Sequence, residues 1–164
     1  MALNLQPYPI SKVDDLTYSF TTEKGDSYKC FFLSYSEYFV SYPELARKIY
    51  SFNIELTSPP ALSKSIDRRI ADTVIQIVGD FLSSRVNAVV YVCDPTDGKG
   101  AARARKFKSW YNYYEYSTEI LQLNTDMEAG GIRLYTAFLV HKKNKLKHRF
   151  IQAYLDLVDA GEEK

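Results

Sequence analysis

An amphipathic pattern that lies between two apolar stretches places the strongest constraint on this fold. From Ser65 to Leu82 apolar residues recur every three or four positions, which predicts a helix with one apolar face. Residues Tyr50–Leu56 alternate between apolar and polar, and residues Ala88–Asp94 are short and valine-rich, so both stretches predict strands. Because a helix joins these two strands while earlier strands are joined by a hairpin, the sheet must be mixed.

The remaining patterns complete the order of elements. Two alternating stretches separated by a turn at residues 23–26 predict a hairpin, and a last helix follows two late strands. The expected strands are Leu16–Thr22, Tyr28–Ser34, a short one over Tyr38–Tyr42, Ser117–Leu123 and Ile132–His141; the expected helices also include residues 97–114 and 145–158. The sequence therefore predicts an α+β fold with a mixed, mostly antiparallel sheet, about three helices and the order β-β-(β)-β-α-β-α-β-β-α.

Length and composition narrow the class of protein. A chain of 164 residues is the usual size of one domain, and we expect residues 1–164 to form a single one. The net charge of +1 gives no overall field that would attract nucleic acid or a membrane. No secretory signal or long apolar run is present, which predicts a cytoplasmic protein without a membrane partner. Cys30 and Cys93 lie in apolar stretches and are expected to be reduced and buried.

The order of elements resembles the GNAT-type N-acyltransferase fold over about residues 16–141. In that family a meander ends in a strand, a proline and a helix that binds the pyrophosphate of acyl-CoA with its N-terminus. The segment Ile54–Pro59 is similar to the family's fourth strand, and residues 87–94 are similar to its fifth. Ala104 and Phe107 match the spacing in the helix that follows. There is also a weaker similarity to uncharacterised bacterial proteins with an arginine-rich helix.

The resemblance implies a set of site residues. In an enzyme of this kind, acetyl-CoA or another acyl-CoA would transfer its acyl group to an amine, with Glu55 as base and Tyr111 or Tyr114 as acid. The cofactor would contact Leu56, Thr57, Ser65, Arg68 and Arg69. Backbone amides near Leu56 or Thr57 would stabilise the thioester oxyanion.

Two departures from the family pattern argue against catalysis. The family's pyrophosphate loop contains glycines that let backbone amides approach phosphate, and residues 64–73 contain none. Lys108 stands where the family has its general-acid tyrosine, and Tyr111 lies one turn later. The sequence therefore favours a non-catalytic binding or regulatory module without a certain cofactor, and the acyl-CoA-dependent N-acyltransferase is the alternative.

Several polar residues have two interpretations each. Glu55 is either a base or an ordinary solvent-facing carboxylate, and Arg68 and Arg69 either hold a phosphate or pair with nearby aspartates. The cations on the second helix, among them Arg103, Arg105 and Lys106, either bind an anionic partner or pair with Asp94 and Asp97. The expected partner is an unknown protein, or a small-molecule amine for an enzyme. Nucleic acid is the weaker interpretation, and the histidine and cysteine spacing predicts no metal site.

Overall fold

The computed structural model of the protein describes residues 6–59, 67–93, 105, 119–129 and 131–162. These residues divide into two compact units. The first unit contains residues 1–33 and 52–81, and the second contains residues 34–51 and 82–164. The expectation of a single domain stays a prediction.

The fold is α+β, with a seven-stranded, mostly antiparallel sheet and three helices in the described part. The strands are β1 (Ser11–Asp14), β2 (Thr17–Thr21), β3 (Ser27–Ser34), β4 (Ile49–Leu56), β5 (Ala88–Cys93), β6 (Ile120–Ala129) and β7 (Ile132–His141). The helices are α1 (Pro43–Ala46), α2 (Arg68–Leu82) and α3 (Lys147–Glu162). The strand order is β1-β2-β3-β4-β5-β7-β6, and β4 pairs with β5 in parallel. The predicted fold class and mixed sheet are thus confirmed.

Three local predictions differ from the structure. Residues Tyr38–Tyr42 form no strand; a 3-10 turn over Ser36–Tyr38 precedes α1, which starts at Pro43 because proline suits the first helical position. An unexpected strand, β1, pairs with β2. Strand β6 continues to Ala129 because its ten residues form a continuous ladder with β7. The predicted second helix lies outside the described residues except for Arg105, which is helical.

The core of the first unit forms between α2 and the β2/β3 hairpin. Tyr18, Phe20, Cys30 and Phe32 are the buried residues of the two alternating strands. Phe32 stacks on Phe81 of α2 with ring centroids 3.8 Å apart. The apolar residues that recur at helical spacing in α2 are buried at Val74, Ile77, Val78 and Phe81 and half-buried at Ile70. Burying side chains of this size contributes about 1.5–3 kcal/mol each.

Strand β4 buries less than its alternation predicts. Phe52 is 3% exposed, but Ile54 and Leu56 are 36% and 37% exposed. The predicted apolar face of this strand is therefore buried only in its first half.

The core of the second unit lies between α3 and the inner strands. Phe138 of β7 stacks on Tyr154 of α3 with ring centroids 5.0 Å apart, and both are fully buried. The Tyr154 hydroxyl is hydrogen-bonded to the hydroxyls of Thr125 and Thr136, which are also bonded to each other at 2.7 Å. This closed ring of three hydroxyls satisfies the polar groups that α3 brings into the core.

No helix in the described ranges is both long and apolar enough to span a membrane.

We expect the thiol of Cys30 to react slowly in the native protein. Cys30 has no exposed surface, and burial raises the pKa of its thiol to about 12, so almost no reactive thiolate is present at neutral pH. In a Cys93→Ser variant, labelling of Cys30 by a thiol reagent should be slower by orders of magnitude than labelling of the unfolded chain. Complete labelling within minutes under native conditions would contradict burial.

Candidate functional site

The N-terminus of α2 is where the resemblance would place a cofactor phosphate, and Asp67 caps it. The Oδ1 atom of Asp67 accepts a hydrogen bond from the backbone amide of Arg69 at 2.9 Å. An aspartate at this position satisfies an amide that lacks a partner within the helix and complements the positive end of the helix dipole. Ser65, which was predicted as a cofactor contact, lies outside the described residues.

The second oxygen of Asp67 is also occupied. The hydroxyl of Tyr8 donates to Oδ2 at 2.5 Å, and Tyr8 is 5% exposed. Burial and this hydrogen bond raise the pKa of Tyr8, so the hydroxyl keeps its proton and acts as a donor. Both carboxylate oxygens at the start of α2 are therefore engaged by the protein itself.

The guanidinium of Arg69 is directed at the N-terminal segment. It donates to the carbonyl oxygens of Gln6 at 3.0 Å and Pro7 at 3.2 Å, and to Oε1 of Glu23 at 2.9 Å. Its carbon lies 3.9 Å from the centroid of the Tyr8 ring, which adds a cation–π contact. A phosphate would compete with all of these contacts for one side chain. The predicted cofactor role of Arg69 stays a prediction, as does that of the exposed Arg68.

The N-terminal segment Gln6–Tyr8 is bound along the first two turns of α2. The backbone amide of Gln6 donates to Oδ2 of Asp72 at 3.0 Å, and that of Tyr8 donates to the hydroxyl of Thr73 at 2.9 Å. Asp72 and Thr73 are both buried polar residues. Asp72 has one buried oxygen, Oδ1, without a hydrogen-bond partner in the described part of the chain. We call Gln6–Tyr8 together with Asp67, Arg69, Asp72 and Thr73 the α2 latch.

No pattern in the sequence predicted a role for Tyr8, which contacts Asp67, Arg69 and Thr73 in the latch. Its only local signal is its position between Pro7 and Pro9, which favours an extended backbone there. The carboxylate that it contacts is 59 residues away in the chain. No local pattern connects residues so far apart.

The predicted catalytic and oxyanion positions on β4 face solvent or are already paired. Glu55 and Leu56 are exposed. The backbone amide of Thr57 donates to the carbonyl oxygen of Ser27 at 2.8 Å, and its hydroxyl donates to the same oxygen at 3.1 Å. The Thr57 amide is therefore not directed at a reacting group.

Most of the other predicted site residues belong to the predicted second helix. Tyr111, Tyr114, Arg103 and Lys106 lie outside the described residues, and Arg105 is exposed. Among residues 6–59, 67–93, 105, 119–129 and 131–162, no group of three or more potential metal ligands is positioned to bind an ion.

The first unit also has an open groove of about 550 Å³ along the polar face of its hairpin. Five of its residues carry a hydroxyl on an aliphatic side chain, and Lys29 and Asp14 supply one charge of each sign. The lining residues are Val13, Asp14, Thr17, Ser19, Phe20, Thr21, Ser27, Tyr28, Lys29 and Thr57.

One protein family is similar to this chain. The model of DUF6169, described as a family of unknown function, matches residues 66–155, which is more than half of the chain. No curated protein matches the chain.

Proposed function

We propose that this chain, which belongs to the DUF6169 family, is a non-catalytic binding or regulatory module with a GNAT-like order of elements. The observation that carries the proposal is the cap on α2. Asp67 places its own carboxylate on the amide of Arg69, at the helix end where a GNAT enzyme would bind pyrophosphate.

Charge and geometry both oppose a phosphate at this helix end. A phosphate group would have to displace the Asp67 carboxylate or approach it as a second anion, and like charges repel strongly where water is partly excluded. Displacing the carboxylate would also break its hydrogen bond with the buried Tyr8 hydroxyl. Leaving the proton of the Tyr8 hydroxyl without an acceptor costs about 1–3 kcal/mol.

The residues that could compensate for this repulsion are engaged elsewhere. Binding of phosphate by Arg69 would remove its hydrogen bonds to Gln6, Pro7 and Glu23. Without glycine in residues 64–73, side chains also shield the amides of the first turn. These losses support a module that has kept an acyltransferase-like order of elements without its cofactor.

The alternative function is an acyl-CoA-dependent N-acyltransferase acting on a small-molecule amine. It is supported by the parallel pairing of β4 with β5, because the family admits the pantetheine arm between two such strands. Glu55 would act as base and Tyr111 or Tyr114 as acid. The exposed position of Glu55 and the paired amide of Thr57 make this function the weaker proposal.

For the binding module, we propose that the basic segment with Arg103, Arg105 and Lys106 contacts a protein partner. Arg105 is exposed, so its charge is accessible to such a partner. The cytoplasmic location and bacterial origin stay predictions from the sequence.

A turnover assay tests the non-catalytic half of this proposal. The protein would be incubated with acetyl-CoA and a panel of primary amines, and the release of free coenzyme A thiol would be followed against a protein-free control. We expect no release above the control. Release that saturates with one amine and is lost in a Glu55→Gln variant would establish the alternative function.

A further inference from the structure

The topology of the second unit brings three basic chain segments to one end of its strands. Strands β4 and β5 are parallel and begin together, with Ile49 opposite Ala88. Strand β7 is antiparallel to β5, with Val140 opposite Ala88, so β7 ends where the other two begin. The residues before β4, before β5 and after β7 therefore share one end of the sheet.

These three segments carry a concentration of cations. Arg47 and Lys48 precede β4, Arg85 precedes β5, and residues 142–149 after β7 contain five more lysines and arginines. We call these residues the basic end. The acidic residues adjoining it in the described ranges include Glu44, which pairs with Arg149, Glu119, and Asp156, which lies with Arg149 and Glu44 around Tyr42. A chain with a net charge of only +1 thus has a strongly positive surface at this position.

Hydrogen bonds fix the segments of the basic end to one another. The side-chain amide of Asn144 donates to the backbone carbonyl oxygen of Asn87 at 3.4 Å. The backbone amide of Ala88 donates to the backbone carbonyl oxygen of Lys48 at 2.9 Å. His141 is buried beneath the segments; burial and the charges of Arg85 and Lys143 lower its pKa. The cations are therefore held close together by the fold.

Holding these cations together is unfavourable without an anionic partner. Lys142, Lys143 and Lys145 are exposed, and none of the three forms an ion pair within the described ranges. Lys147 and Arg149 also lie in the first turn of α3, where the helix dipole disfavours positive charge. The mutual repulsion of these groups would be relieved by a partner with regularly spaced negative charges.

A stacked tyrosine pair, of which Tyr35 packs against the core and Tyr38 is exposed, lies beside the same strand end. The backbone amide of Tyr35 donates to the carbonyl oxygen of Ile49, the first residue of β4, at 3.0 Å. The ring of Tyr35 stacks on that of Tyr38 with centroids 4.4 Å apart, and Tyr38 is 51% exposed. A rigid exposed ring next to clustered lysines is the combination that binds unpaired bases and their phosphates.

We infer that the basic end binds single-stranded nucleic acid, with its lysines on the phosphates and Tyr38 stacked on a base. An acidic protein would satisfy the charges but would leave the stacked tyrosine pair without a specific role. The inference does not depend on the state of the acyl-CoA site, because it uses different residues.

Fluorescence anisotropy with a labelled single-stranded oligonucleotide of 20 nucleotides tests the inference. We expect binding at 50 mM salt that weakens as salt is raised, with a slope of about −3 in log K against log[salt] for four phosphate contacts. The variant Lys142→Glu/Lys143→Glu/Lys145→Glu should bind about tenfold or more weakly, with a slope shallower by about 2. Tyr38→Ala should bind about fivefold more weakly with an unchanged slope.

A matched control changes the net charge equally in the first unit, by Lys12→Glu/Lys24→Glu/Lys29→Glu. This variant should retain binding, and the melting temperature of every variant should be measured to confirm folding. The inference is wrong if no binding occurs at 50 mM salt or if both triple variants lose affinity equally. It is also wrong if duplex DNA or a polyglutamate peptide of equal charge binds more tightly than the single strand.

Discussion

Replacing Val74 by aspartate should destabilise the protein by about 4 kcal/mol or more, because it buries a charge that has no partner. Val74 is 2% exposed and lies on the face of α2 that also buries Ile77 and Phe81. Chemical denaturation followed by circular dichroism would measure the change in the free energy of unfolding. A loss of this size could remove most of the stability of an ordinary domain.

Gln76→Asp is the matched control for this substitution, since Gln76 is exposed on the same helix. Both variants place an aspartate on α2, but the new charge at position 76 stays in water. The free energy of unfolding should therefore fall by less than about 1 kcal/mol in Gln76→Asp. Equal stability of the two variants would mean that α2 does not bury the face that contains Val74.

Replacing Asp67 by alanine should cost about 2–3 kcal/mol, since it removes a helix cap and leaves the proton of the Tyr8 hydroxyl without an acceptor. The two hydrogen bonds to its carboxylate, from the Arg69 amide and from Tyr8, are both lost in this variant. The free energy of unfolding from urea titration is the measurement.

Asp67→Asn separates the role of hydrogen bonding from that of charge. Asparagine caps helices about as well as aspartate, but with its one oxygen on the Arg69 amide it presents an NH2 donor to Tyr8, so this variant should recover the capping part of the loss, about half of it. If Asp67→Ala unfolds with the same midpoint as the unmodified protein, then Asp67 neither caps α2 nor holds the latch.

The regular elements could be predicted from the sequence because apolar residues recur in them at the spacing of a helix or a strand. The apolar spacing between Ser65 and Leu82 predicted α2, and the stretch Ile132–His141 after the turn with Gly130 and Gly131 predicted β7 with its observed bounds. The crossover between β4 and β5 required a mixed sheet, which the parallel pair confirms. Local periodicity was sufficient for α2 because its regularly spaced apolar residues are buried, while β7 is buried on both faces from Thr136 to His141.

The arrangement of the candidate site could not be predicted in the same way. Ile54 and Leu56 lie at the apolar positions of an alternating strand, which predicts that they are buried, but both are exposed. Whether such a position is buried depends on what packs against the strand, and the alternation does not show this. The role of Asp67 as the cap depends on backbone geometry at the helix start, which apolar spacing does not determine. The basic end combines segments about 40 to 95 residues apart, and only strand pairing reveals that they meet.

Titration calorimetry with acetyl-CoA tests the central claim most directly, since the claim is that Asp67 and Arg69 leave no phosphate site at the start of α2. For the unmodified protein at about 50 μM, we expect no binding heat up to 1 mM acetyl-CoA. If acetyl-CoA bound with a dissociation constant of 10 μM, the titration would give measurable heat. In addition, 1 mM acetyl-CoA would raise the free energy of unfolding by about 2.7 kcal/mol. Low-micromolar binding that is abolished in Arg68→Ala and Arg69→Ala variants would contradict the account and establish a cofactor site at α2.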